Sequence, residues 1–85
     1  MTREEVIAHF KNLAKSQIGS ATYKLWTVGN SSTVHVTCLP KNQYALERIA
    51  DKVISDAGSG ERYATFHVPV GQLGKSYEAS FCFKV

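Results

Sequence analysis

Three histidines and two cysteines are the residues of this chain best suited to metal binding or nucleophilic chemistry. The close pair is His35 and Cys38. On a strand that spacing turns the two side chains to opposite faces, so they cannot share a tetrahedral ion without a bulge. His35 and Cys82 are instead expected to share one face of a sheet, with Glu78 nearby. An imidazole can activate a thiol as a nucleophile, but the sequence supplies no recognisable oxyanion hole or cleft around them. Polar residues partly covered on a sheet face account for the pair. His9 borders a helical stripe and His67 lies near a strand end beside Pro69, so neither carries chemistry alone. The expectation is a protein that is not an enzyme, with no catalytic residue, metal or cofactor.

Two motifs are weighed against their contexts. Gly71-Gln72-Leu73-Gly74-Lys75-Ser76 looks like the end of a phosphate-binding P-loop, but Pro69 stands where the leading glycine is required. Such a loop must also open a helix, whose N-terminal amides meet the phosphates. Here the segment runs into the clearest strand in the chain, and two glycines are ordinary turn chemistry. Nucleotide hydrolysis is rejected. Leu13-Ala14-Lys15-Ser16-Gln17-Ile18-Gly19 is similar to the start of a helix-turn-helix in small phage repressors. The residues that follow, 22–28, are β-branched and aromatic where a recognition helix would be needed.

The elements that must position these residues follow from periodicity. Thr2 and Glu5 form a capping box, and Val6, Ile7, Phe10, Leu13, Ala14 and Ile18 recur at helical spacing. A helix is expected over residues 3–17, closed by Gly19. Residues 22–28 and 33–39 read as strands of a hairpin around Gly29-Asn30-Ser31-Ser32. Setting Val28 opposite Thr33 places Tyr23, Leu25 and Thr27 with Cys38, Val36 and Val34 on the core face. Lys24, Trp26, His35 and Thr37 then lie on the outer face, with Trp26 across from His35.

Pro40 stops the second strand, Asn42 can cap a second helix, and Leu46, Ile49, Ala50, Val53, Ile54 and Ala57 form its stripe. Gly58-Ser59-Gly60 closes it. Residues 62–68 and 76–84 complete the chain as a second hairpin around 69–75. In the third strand Ala64, Phe66 and Val68 suit the core, leaving Tyr63, Thr65 and His67 outside. The last strand alternates strictly, with Tyr77, Ala79, Phe81, Phe83 and Val85 inside and Glu78, Ser80, Cys82 and Lys84 outside. A faint internal echo links Tyr23–Val28 with Tyr63–Val68, each preceded by Gly-Ser.

The fold class expected is α+β, in the order α-β-β-α-β-β, with two helices packed on one face of a four-stranded antiparallel sheet. This is a permuted ferredoxin-like arrangement, the first strand moved to the end and the second and fourth strands central. The likeness is topological and transfers no functional residue. The whole chain, 1–85, is expected to be a single compact domain, since 85 residues suffice for one thin core.

Composition narrows the function classes. No apolar run reaches the ~20 residues of a membrane span, and Met1-Thr2-Arg3-Glu4-Glu5 lacks a signal peptide's apolar stretch. Cys38 and Cys82 are therefore read as free thiols in a reducing, cytoplasmic setting, and the sequon Asn30-Ser31-Ser32 carries no weight. Most of the nine rings (four Tyr, four Phe, one Trp) are absorbed by the core. Trp26 and Tyr63 are not.

Aromatic residues flanked by cations on an open face suit protein interfaces and single-stranded nucleic acids alike. Ten Lys+Arg against seven Asp+Glu give +3, but the cations are spread along the chain with acidic neighbours. Diffuse charge weighs against nucleic acid. The expected function is that of a non-catalytic interaction protein, a regulator, adaptor or inhibitor that docks on another protein. Trp26 and Tyr63 would anchor it, and Lys24, His35 and His67 would give polar complementarity. A nucleic-acid-binding module using the same face is the alternative. An edge strand leaves a homodimer open, and no membrane partner is expected.

Overall fold

The computed structural model describes residues 1–19, 23–63 and 79–85. The capping box forms as the sequence requires: Glu5 N–H donates to Thr2 Oγ1 at 3.2 Å and Thr2 N–H donates to Glu5 Oε1 at 3.0 Å. From it α1 (Arg3–Ile18) runs to Gly19, whose φ of 62° suits glycine. Val6, Phe10 and Ala14 are buried along one side, with Ile7, Leu13 and Ile18 packed at the margins.

β1 (Tyr23–Trp26) and β2 (Thr33–Cys38) pair antiparallel, Tyr23 opposite Cys38 and Trp26 opposite His35, the register expected from the hydrophobic pattern. The ladder is shorter than expected. Thr27 and Val28 leave β1, and Val28 is 59% exposed. The turn closes through Ser31 N–H to the Val28 carbonyl (3.1 Å) and Thr33 N–H to Ser31 Oγ (3.1 Å). Arg3 donates to the Gly29 and Ser31 carbonyls at 2.9 and 3.2 Å, tying this turn to the start of α1.

After β2 the chain makes one 3-10 turn, Pro40–Asn42, before α2 (Gln43–Ala57). Asn42 does not cap α2 with its side chain, contrary to the sequence expectation. The turn satisfies the entry with backbone bonds instead: Asn42 N–H to the Leu39 carbonyl at 2.9 Å, and Gln43 N–H to the Pro40 carbonyl. Leu46, Ile49, Ala50 and Val53 are buried, and Gly58 ends the helix in the left-handed conformation, its N–H bonding the Ile54 and Ser55 carbonyls.

β3 (Glu61–Tyr63) and β4 (Ala79–Lys84) complete a four-stranded antiparallel sheet in the order β1-β2-β4-β3. The remainder of the two expected strands, 64–68 and 76–78, lies outside the described residues. The architecture is α+β, and the strand order is compatible with the ferredoxin-like permutation. β4 is central, which suits its burial from Ala79 to Phe83. Val34, Val36, Cys38, Ala79, Phe81 and Phe83 meet both helical stripes in one cluster. At its centre Phe10 stacks on Phe83 (5.5 Å between centroids, 20°) and meets Tyr23 edge-on (5.8 Å, 67°).

Arg62, on the helix-facing side of β3, fastens that edge strand to α2. Its Nε and Nη1 donate to Asp51 Oδ1 at 2.7 Å and Glu47 Oε1 at 3.0 Å. On the far side of α2, Asp56 accepts from Lys52 at 2.9 Å and meets His9 Nε2 of α1 at 2.7 Å.

Candidate interaction face

Strand alternation turns the even-numbered residues of β1 and β4, and the odd-numbered ones of β2 and β3, away from the helices. The register then sorts them into rungs. One rung crosses all four strands: Trp26 opposite His35, His35 opposite Cys82, and Cys82 opposite Tyr63. At about 4.8 Å per strand its two end rings stand roughly 14 Å apart along the backbone. A second rung runs Lys24, Thr37, Ser80, and a third runs Thr33, Lys84, Glu61.

The first end of the long rung is a stack. The Trp26 and His35 rings lie 4.3 Å apart at 18°. Both side chains are half-buried, and Lys24 beside them is exposed. The other end is an exposed cluster on β3. Tyr63 O–H donates to Glu61 Oε1 at 3.0 Å, and Lys84 Nζ lies 3.6 Å from the same carboxylate oxygen and 5.9 Å from the Tyr63 ring centroid. These partners hold the Lys84 ammonium above its ordinary pKa, the Tyr63 side chain first among them.

Between the two ends the face is closed. Thr37 is fully buried, Ser80 is 4% exposed and Cys82 8%. Alternation assigns these residues to the outer face without fixing their exposure; the accessible part is the two rims. The Thr37 hydroxyl has no hydrogen-bond partner among the described residues.

Of the five residues singled out from sequence, the structure brings Trp26, His35 and Tyr63 onto one rung and sets Lys24 on the next. His67 lies outside the described residues, as do Thr65, Glu78 and the Gly71-to-Ser76 segment.

His35 and Cys82 do face each other across β2 and β4. Burial pushes the imidazole pKa down and the thiol pKa up, so both groups favour their neutral forms. A thiolate–imidazolium pair is thereby disfavoured. Cys38 lies on the helix side, its thiol pushed up to about 11 by burial and, less, by Glu47. Among the described residues no three His, Cys, Asp or Glu side chains are grouped to hold a metal ion. No helix among them is long and apolar enough to cross a membrane.

Sequence reasoning passed over one exposed aromatic. Tyr44, 71% exposed on α2, carries the Arg48 guanidinium 5.8 Å from its ring centroid. The signal was an aromatic residue off the apolar stripe with an arginine one turn later.

Compared with protein-family models, with curated protein sequences and with solved structures, the chain gives no match.

Proposed function

We propose that this chain is a small non-catalytic interaction protein, a regulator, adaptor or inhibitor, that docks on another protein through the rims of the sheet's outer face. Trp26 and Tyr63 are its anchors. Lys24 and His35 supply polar contacts beside them, and His67 is assigned to the same role from sequence alone. The supporting observation is the rung that sets the two rings at opposite ends of one cross-strand line. Rings held by stacking and hydrogen bonds lose little freedom on binding, which is why Trp and Tyr dominate interface energetics.

Charge favours a protein over a nucleic acid as partner. Arg62, Lys52 and Lys84 each face a carboxylate, and Arg3 is spent on backbone carbonyls. Phosphate binding needs cations gathered on one surface and free to release counterions.

The test is affinity capture from the source cell with the wild-type chain and the Trp26→Ala/Tyr63→Ala variant, each with and without nuclease. A protein set retained by wild type, lost by the variant and indifferent to nuclease is expected, with the variant's thermal transition preserved. Equal capture by the variant overturns the assignment of the face. Nuclease-sensitive capture with a steep salt dependence selects the nucleic-acid alternative.

A further inference from the structure

The geometry points to His35 as a proton-responsive element of the outer face, with Trp26 as its built-in reporter. The imidazole is a half-buried side chain at the second position of a four-strand rung, lying nearly parallel on an indole at 4.3 Å. A neutral imidazole makes this a flat, apolar stack. Adding one proton turns it into a cation against a π-face, and changes the charge of the surface beside Lys24 without moving any strand.

The surroundings decide which form is stable near neutrality. On β1, Lys24 stands one rung from His35 on the same face. On β4, Cys82 lies directly opposite and Lys84 one rung away. On β3, Tyr63 and Glu61 complete the titratable and charged groups of that face among the described residues. Glu61 is two strands from His35 and already engaged by Lys84 and Tyr63. Partial burial disfavours the charged form and draws the imidazole below its ordinary pKa. The neutral stack is therefore the state at pH 7. The charged state is reached on mild acidification, below the ~6.5 of an unperturbed histidine. The inference stands whether or not the face docks a protein. If it does, a partner that fits the neutral stack is released as pH falls.

Trp26 is the one tryptophan in the chain, so its emission reads this event directly. Tryptophan fluorescence of the wild-type protein should be followed from pH 8 to pH 4.5, alongside His35→Gln and His9→Gln. The expected result is a loss of emission with one midpoint below ~6.5, absent in His35→Gln and kept in His9→Gln. A flat wild-type profile, or a titration that survives in His35→Gln, overturns the inference. If His35→Gln does not fold, NMR titration of the three histidine Cε1 protons in the wild-type protein decides it. One of them must titrate below ~6.5 and share its midpoint with the fluorescence. Because neither measurement involves a partner, their failure is distinct from failure of the docking reading.

Discussion

Gly60 stands between α2 and β3 at a φ of 126°, where a Cβ would drive into the Lys84 carbonyl oxygen and lie 2.8 Å from the Val85 Cα. Backbone atoms cannot yield as a flexible side chain can. Gly58, at a φ of 79°, faces open space, so alanine there meets only the left-handed penalty. We therefore expect Gly60→Ala to lose clearly more stability than Gly58→Ala. Urea unfolding of the pair should give about 1–2 kcal/mol for Gly58→Ala and a larger loss for Gly60→Ala. Equal losses would mean that β4 can shift away from the α2–β3 connection. The glycine run was legible in sequence as the end of a helix. That its last member presses against the end of a strand was not, because the close approach depends on where β4 lies.

At the scale of elements, periodicity carried most of the information. Phe10 and Val6 at helical spacing, and Phe81 and Phe83 at spacing two, fix which faces meet; Val34, Val36 and Cys38 then permit one β1–β2 register, the one observed. Alternation reports the side on which a residue lies and says nothing of what covers it. Thr37, Ser80 and Cys82 could for that reason be placed on the outer face, but the extent of their burial could not be read from sequence. Pairings between elements were equally invisible. Asp56 bridges Lys52 on its own helix to His9 on α1, and these hydrogen bonds hold its carboxyl below the ordinary carboxylate range, His9 first. A depressed carboxylate pKa contributes stability above the unfolded value and loses it as pH falls through the folded one. Asp56→Asn should accordingly lower the urea midpoint at pH 7 and leave it nearly unchanged well below the carboxylate range, near pH 2. A variant as stable as wild type at pH 7 would show the bridge to be energetically idle, as many exposed pairs are.

For the molecule as a whole, stability rests on a small number of side chains. A chain of 85 residues commands roughly 4–13 kcal/mol in total, and Phe10 contacts β1 through Tyr23 and β4 through Phe83. Phe10→Ala should cost about 3–5 kcal/mol, a large share of that margin. A loss under about 1 kcal/mol would show that the core collapses around the gap. The strand order has a further consequence, for synthesis. β2 acquires its inner neighbour only when residues 79–84 exist, since Thr33 pairs with Lys84 and Cys38 with Ala79. At ~5–20 residues per second, a ribosome takes roughly 2–8 s to pass from the end of β2 to β4. Until that pairing is made, the valine-bearing strand Thr33–Cys38 has one edge without its native neighbour, the kind of template on which chains associate with one another. A chaperone that holds that edge until β4 pairs should therefore raise soluble yield.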